Sequence, residues 1–260
     1  MEQQAAGNIT GSIEQAPYTE FAERSSWRGG DILRKIVDRR MIKTLRQIQK
    51  QHGCGNNLLE IGAGTGNFAK EAIRCGAFAY KGAEPNPTLA TLSKRNASDD
   101  AIIEAGLPEV SQSLPNWADL CVSFHVLEHA RDGYEAREWI QDMVNCVRPG
   151  GLVAVVSPDI KSYRSAFWTT DWSHCFPTSP ENVSQLFADL GLELITATTI
   201  RGGSTGRIRA LASGVANALT PSLLLDTIGK WTVGRPIGAG LKVGYLYANT
   251  FVVGKRPDEA

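Results

Sequence analysis

The run from Glu60 to Gly66 combines residue types and spacing that suit ligand binding. An apolar strand pattern over residues 57–61 contains Glu60 near its end, and the next glycines, Gly62, Gly64 and Gly66, stand at alternate positions. A helical pattern follows. Glycine suits such a turn because the backbone bends sharply and a ligand can approach where no Cβ stands in the way. A strand, a glycine-rich turn and a helix in this order are typical of the first unit of a nucleotide-binding α/β sheet.

Polar or flexible segments also follow the next three predicted strands. They are Glu84-Pro85-Asn86, Glu104-Ala105-Gly106 and Phe124-His125-Val126. Ligands of open α/β sheets bind beyond the carboxyl ends of the strands, so all three segments are candidates for ligand contact. A carboxylate such as Glu84 can accept hydrogen bonds from both hydroxyls of a ribose.

The spacing Glu60-x-Gly62-x-Gly64-x-Gly66 resembles motif I of the class I S-adenosylmethionine (SAM)-dependent methyltransferases. There the acidic residue and the glycine loop hold the amino-acid end of SAM, and a residue after strand three lies near the adenine. The resemblance covers residues 58–151, the segment 180–191 and the final strand. It implies SAM as the cofactor and these cofactor-binding residues: Glu60, Gly62, Ala63, Gly64, Gly66, Glu84, Pro85, Asn86, Glu104, Ala105, Gly106, Phe124, His125 and Val126.

An NAD-linked oxidoreductase is the alternative, because an acidic residue after strand two also serves NAD. Against it, the dinucleotide fingerprint has its third glycine where this chain has Asn67.

Two histidines are candidates for acid–base chemistry. The family's strand-four motif often contains Leu-Glu-His, as in Leu127-Glu128-His129, with its histidine near the methyl donor. His174 is similar to a substrate-facing histidine of small-molecule methyltransferases. The resemblance therefore implies His129 and His174 as catalytic residues. Histidine, with a pKa of roughly 6.5, can act as a general base toward a hydroxyl. The alternative is that each is a hydrogen-bonded loop residue.

The segment His125 to His129 also matches the His-x-x-Glu-His pattern of inverted zinc peptidases. That chemistry needs both histidines on one face of one helix. His125 directly follows the apolar strand pattern 120–124, so we expect the two imidazoles to diverge and expect no metal.

Aromatic residues in the N-terminal arm and after strand five could shape a substrate pocket or pack in a core or lid. The predicted substrate-binding residues are Tyr18, Trp27, Tyr163, Trp168 and Trp172.

Strand and helix patterns alternate along the chain, which predicts a parallel sheet with helices on both faces. We expect a doubly wound, mostly parallel seven-stranded α/β sheet whose last strand is antiparallel, as the family resemblance also implies. The predicted organisation is an N-terminal arm and helix (1–52), a SAM-binding Rossmann-like core (53–200), a helical cap (201–244), and a final strand with a tail (245–260).

Bulk composition gives few signs of a macromolecular partner. The 260 residues are 42% hydrophobic and 21% charged, with zero formal net charge. This does not favour non-specific binding to nucleic acid or anionic membranes. The basic helix over residues 31–52 raises tRNA or an acidic carrier as a minority hypothesis, although such a run is usually a solvated face.

An odd number of cysteines, five, and the lack of a signal-like segment predict a cytoplasmic protein. No run is apolar enough to span a membrane. A homodimer stays open.

These features together favour a methyltransferase that acts on a small or medium-sized metabolite, at oxygen in preference to nitrogen or carbon. The oxygen preference rests on the two histidines and on the lack of an Asn-Pro-Pro-Tyr type of signature. One alternative uses SAM for cyclisation or aminocarboxypropyl transfer. Another is a SAM-binding, non-catalytic partner subunit.

Overall fold

The computed structural model describes residues 28–202, 227 and 247–258. The predicted arm residues Tyr18 and Trp27 and nearly all of the predicted helical cap therefore lie outside the described residues.

The described strands form one mixed sheet. They are β1 (Asn57–Ile61), β2 (Ala79–Ala83), β3 (Ile102–Ile103), β4 (Ala118–Phe124), β5 (Val147–Pro158), β6 (Glu193–Ile200) and β7 (Asn249–Lys255). Their order across the sheet is β3-β2-β1-β4-β5-β7-β6. The pairs from β3 to β5 are parallel, whereas β7 is antiparallel to both β5 and β6. The predicted sheet, with its antiparallel last strand, is confirmed.

Helices connect most of the strands. They are α1 (Arg28–Gln51), α2 (Asn67–Arg74), α3 (Pro87–Asn96), α4 (Val110–Ser113), α5 (Gly133–Cys146), α6 (Ile160–Tyr163), α7 (Ala166–Thr169) and α8 (Pro180–Asp189), with 3₁₀ turns at Asp99–Ala101 and Leu127–His129. Ser179 caps α8 in a full capping box with Asn182, and Pro180 occupies its first turn. Among these helices, none is long and apolar enough to cross a membrane.

The two faces of the sheet carry separate hydrophobic cores because side chains alternate along each strand. Leu58 of β1 packs into one core with buried residues of α1 and α2. Its neighbour Leu59 packs into the other core with buried residues of α5 and α8. This layering holds the carboxyl ends of β1, β2 and β4 at one edge of the sheet.

Several predicted details differ from the structure. The sequence pattern predicts a strand over residues 101–105, but β3 is only two residues long, because Ile102 and Ile103 alone pair with β2. The turn residues Pro149-Gly150-Gly151 predict that β5 starts at Leu152. In the structure β5 begins before this turn, since Val147 already pairs with β4 ahead of a register shift. The spacing of Asp132 and Glu135 predicts a capping box at the start of α5. Asp132 caps α5, but the box is incomplete, because the Glu135 carboxylate accepts a hydrogen bond from the backbone N–H of Arg131 and not from that of Asp132.

Candidate active site

The loop after β1 requires glycine for two separate reasons. Gly62, Gly64 and Gly66 all have positive φ angles, of 75°, 55° and 75°. Residues other than glycine rarely adopt this left-handed backbone conformation. A Cβ on Gly62 would also lie 2.5 Å from Cγ2 of Val126, and one on Gly66 would lie 2.8 Å from Cα of Ser93. The loop is therefore pressed against the end of β4 on one side and α3 on the other.

Glu84, just beyond β2, fixes the shape of this loop. Its Oε2 accepts a hydrogen bond from Gly64 N at 2.7 Å, and its Oε1 accepts one from Asn86 N at 3.0 Å. Burial raises the pKa of Glu84, and these two backbone donors partly oppose that rise. Each carboxylate oxygen keeps a second lone pair for a ligand hydroxyl. Asn86 also caps α3 by accepting from Thr88 N and Leu89 N.

Glu60 is enclosed within the sheet. Its side chain is buried, and its Oε2 accepts a hydrogen bond from Tyr80 Oη. Burial raises the pKa of Glu60 well above its usual value. The carboxyl group thus links β1 to β2 below the glycine loop, while its contact with a cofactor stays a prediction.

The segment after β3 lies closer to the surface. Glu104 is half exposed and its carboxylate pairs with Lys94 of α3. Gly106 lies against Pro85, since a Cβ on this glycine would be 3.0 Å from Cβ of Pro85. Contact of Glu104 and Ala105 with an adenine ring stays a prediction.

The end of β4 faces the glycine loop. The ring of Phe124 packs on Phe68 of α2, with ring centroids 4.7 Å apart. His125 has a φ angle of 54° and a half-exposed side chain, and its Nδ1 lies 3.4 Å from Oε1 of Glu128. β4 ends at Phe124 and a 3₁₀ turn follows, so the His-x-x-Glu-His segment does not lie on one helix.

His129 is held by a hydrogen-bonded relay. Its Nδ1 lies 2.9 Å from Ser173 Oγ, and Ser173 Oγ donates to Asp171 Oδ1 at 2.6 Å. Because the only hydroxyl proton of Ser173 points to Asp171, Nδ1 of His129 is the donor and Nε2 carries the lone pair. Burial lowers the pKa of His129, although Glu128 and Asp171 oppose this shift.

His174 lies beside His129. The ring centroids are 5.1 Å apart in an edge-to-face arrangement. Nδ1 of the nearly buried His174 lies 2.7 Å from the carbonyl oxygen of Phe167, which can only accept. Nδ1 is therefore protonated, and Nε2 again carries the lone pair. The backbone carbonyl of Glu128 accepts from the N–H groups of Cys175 and Phe176, which ties this loop to the end of β4.

Glu128 is a site residue to which the sequence analysis assigned no role. It is fully buried, and its Oε2 accepts a hydrogen bond from Ser157 Oγ at 2.7 Å. Burial alone would raise the pKa of Glu128, but His125, His129 and the Ser157 hydroxyl hold it below its usual value. The sequence feature that could have indicated a role for Glu128 is its position between His125 and His129. The sequence analysis also assigned no role to Asp171 and Ser173, although both lie within three residues before His174.

The predicted aromatic residues lie in different environments. Tyr163 is buried, its Oη donates to Asn249 Oδ1 at 3.3 Å, and its ring packs on Tyr247. Trp168 is half exposed and meets Phe167 edge-to-face. Trp172 is mostly exposed. Their contact with a substrate stays a prediction.

Comparison with known proteins decides the family. A family model described as a methyltransferase domain matches residues 33–197, which is more than half of the chain. The chain belongs to the SAM-dependent methyltransferases. This methyltransferase uses SAM as its cofactor, and the NAD-linked alternative is removed. The glycine loop and Glu84 fit the cofactor, because they offer close backbone approach and a carboxylate with lone pairs to spare.

Solved structures share the fold at low sequence identity. A SAM-dependent methyltransferase from Archaeoglobus fulgidus is 17% identical, with a TM-score of 0.53, and the match covers 82% of this chain and 94% of that one. The N-methyltransferase NodS from Bradyrhizobium japonicum is 16% identical, with a TM-score of 0.53 and coverage of 85% and 97%. A geranyl diphosphate C-methyltransferase from Streptomyces coelicolor is 12% identical, with a TM-score of 0.53 and coverage of 82% and 77%. No curated protein sequence matches the chain.

Proposed function

We propose that this methyltransferase transfers the methyl group of SAM to a hydroxyl oxygen of a small or medium-sized metabolite. The observation that supports an oxygen acceptor is the pair of adjacent imidazoles, His129 and His174. Both have Nδ1 hydrogen-bonded to the protein and the lone pair on Nε2. His129 lies three residues after Val126, whose side chain abuts the glycine loop.

A hydroxyl is a weak nucleophile at neutral pH, so its proton must leave as the new bond forms. We assign the acceptance of this proton to Nε2 of His129 or His174. The Asp171–Ser173 relay supports this role for His129, because it fixes the tautomer and stabilises the imidazolium after proton transfer. Burial lowers the pKa of His129 and keeps the ring neutral, hence able to accept a proton, near pH 7.

On the cofactor side, Glu84 would hold the ribose and the glycine loop would hold the amino-acid end. Bound SAM supplies an electrophilic methyl group on a sulfonium. Charge is lost as the methyl group is transferred, so positioning of the acceptor can provide much of the rate. Tyr163, Trp168 and Trp172 are the proposed substrate contacts on the loop after β5.

We further propose a cytoplasmic location, because all five cysteines are free thiols, two of them exposed. A homodimer stays a proposal that sedimentation would test.

Product mass tests the proposed reaction. The protein is incubated with SAM and a panel of hydroxylated, amino and carbon-acid metabolites, and products are read by mass spectrometry. Expected are S-adenosylhomocysteine and an O-methylated product. Methylation only at nitrogen or carbon would contradict the oxygen assignment, and methylthioadenosine would indicate aminocarboxypropyl transfer.

Substitution of the histidines tests their role. We expect the double variant His129→Asn/His174→Asn to lose at least about 100-fold in turnover, since general base catalysis contributes roughly 10²–10⁴-fold. Its affinity for S-adenosylhomocysteine should stay near that of the unsubstituted protein. His52→Asn, at the exposed end of α1, is the matched control. Unchanged turnover in the double variant would refute the proposed base.

A further inference from the structure

We propose that Glu128, His129 and His174 form a binding site for a divalent transition-metal ion of the Zn²⁺ type. One possible ligand atom from each of the three side chains lies within 4.8 Å of the other two. Two imidazoles and one carboxylate are a donor set that binds such ions while leaving positions for water or substrate. The inference extends the proposed function at the same site, but ion binding itself does not depend on methyl transfer.

The outer contacts of both imidazoles match those of metal-binding histidines. Such histidines almost always donate the other ring N–H to a carboxylate or a backbone carbonyl. Nδ1 of His174 donates to the Phe167 carbonyl, and Nδ1 of His129 donates to Ser173, which in turn donates to Asp171. Both tautomers are thereby fixed with the lone pair on Nε2, the atom that a metal ion would bind.

Glu128 completes the donor set with a buried carboxylate. Ser157 Oγ occupies only Oε2. Oε1 is fully buried, and within the described ranges no donor makes a well-aligned hydrogen bond to it, since the 3.4 Å contact with His125 Nδ1 is poorly directed. A buried carboxylate oxygen left in this way is costly unless it is paired or coordinates a metal. A cation at Oε1 would satisfy it.

The cluster differs from the zinc pattern that the sequence analysis set aside. That pattern needed His125 and His129 on one helix, whereas here the second imidazole is His174, from the loop after α7. Zn–N and Zn–O bonds of roughly 2.0–2.2 Å place the ligand atoms about 3.3 Å apart. Ion binding must therefore draw the side chains together by up to about 1.5 Å, which should tighten the loop that carries His174.

An ion at this site would change the chemistry of the acceptor hydroxyl. The same Nε2 lone pairs cannot bind a metal and accept a proton at once. With the ion bound, the hydroxyl oxygen would bind the metal, its pKa would fall, and its proton would pass to water. This consequence rests on the proposed function, whereas the site itself does not.

Metal titration tests the site directly. Tag-free protein is freed of metal with a chelator and titrated with Zn²⁺ in a calorimeter, without SAM or substrate. The titrated protein also carries Cys75→Ser and Cys175→Ser, which removes the two exposed thiols. We expect one Zn²⁺ per chain and a rise in melting temperature. Co²⁺ should give d–d absorption of a four- or five-coordinate site with nitrogen ligands.

Variants separate a metal ligand from a structural residue. His129→Ala and His174→Ala should each weaken Zn²⁺ binding by more than about 100-fold and abolish the Co²⁺ spectrum, while Asp171→Asn should weaken binding by about 10–100-fold. His52→Ala should change neither. Binding of S-adenosylhomocysteine reports that each variant is folded. The site would be overturned if the protein bound no stoichiometric Zn²⁺, or if the His129→Ala and His174→Ala variants bound Zn²⁺ as tightly as the protein with both histidines.

The outcomes for site and reaction can be told apart. Stoichiometric Zn²⁺ binding that depends on both histidines, with no methylated product, would support the site and count against the proposed function. Methylation at full rate in excess chelator, together with no Zn²⁺ binding, would overturn the site and leave the proposed function standing.

Discussion

Replacing Glu84 by glutamine changes one charge at the point where the glycine loop and the expected ribose position meet. In the protein this carboxylate accepts backbone hydrogen bonds from Gly64 and Asn86, one on each oxygen. A glutamine side chain has one acceptor oxygen, and its NH₂ group would face the remaining N–H donor. The substitution therefore disturbs the loop and removes the charged acceptor for the ribose hydroxyls.

The size of the effect follows from these bonds. A hydrogen bond to a charged group contributes about 1.5–3 kcal/mol, against about 0.5–1.5 kcal/mol for a neutral pair. With two ribose hydroxyls, Glu84→Gln should lose about 2 kcal/mol of binding, or roughly 30-fold in affinity. Glu84→Ala removes both acceptors and should lose at least about 3 kcal/mol, more than about 100-fold.

The assay is calorimetric titration with S-adenosylhomocysteine, with Glu138→Gln as a control that makes the same chemical change at an exposed position of α5. Since burial raises the pKa of Glu84, its binding form, the carboxylate, is lost on acidification at a higher pH than for an ordinary glutamate. The affinity of the unsubstituted protein should fall there, and that of Glu84→Gln should not. A folded Glu84→Gln protein that binds within threefold of the original would refute the role assigned to this carboxylate.

Three further tests probe the scaffold by measuring the free energy of unfolding in urea. Gly62→Ala and Gly76→Ala should each lower the free energy of unfolding by about 1–2 kcal/mol, because both positions have positive φ angles. Gly62→Ala should lose about 1–3 kcal/mol more, because of the two only its Cβ would meet a neighbour within 4 Å. Equal losses would contradict the close packing of the loop. Burial raises the pKa of Asp38 to about 7, so the native state binds this proton more tightly than the unfolded chain does, and the resulting stability is lost as pH rises from about 4 to 7. The free energy of unfolding of Asp38→Asn should equal that of the original protein at pH 4 and exceed it by up to about 4 kcal/mol at pH 8. A difference that does not change with pH would refute the raised pKa. Ser157→Ala removes the donor to the buried Glu128 carboxylate and should cost about 1–3 kcal/mol, whereas no loss would show that this oxygen finds another donor.

The proximity of the glycine loop and Glu84, which form the proposed cofactor half of the site, could be predicted because each follows directly on a strand of the sheet. Each strand of the parallel sheet ends at the same edge, so knowing that Gly62 follows β1 and Glu84 follows β2 is enough to bring them together. Glycine at positive φ and a carboxylate beyond β2 are both visible in the sequence. The length of β3 and the early start of β5 could not be predicted, because they depend on which residues find partners in the neighbouring strand.

The acceptor half depends on contacts between segments that are distant in sequence. His129 and His174 are 45 positions apart in the sequence, so the sequence could name both without showing that their rings meet. The contact is made because the Glu128 carbonyl accepts from the N–H groups of Cys175 and Phe176. The Thr178 hydroxyl also donates to the Pro158 carbonyl, and its oxygen lies 2.9 Å from Ser157 Oγ. The buried side chain of Glu128 then lies close to both imidazoles. The His-x-x-Glu-His pattern, which is typical of a helix, could not reveal this arrangement. Family membership therefore establishes SAM as the cofactor, while the proposed chemistry toward the acceptor depends on how this loop closes on the end of β4.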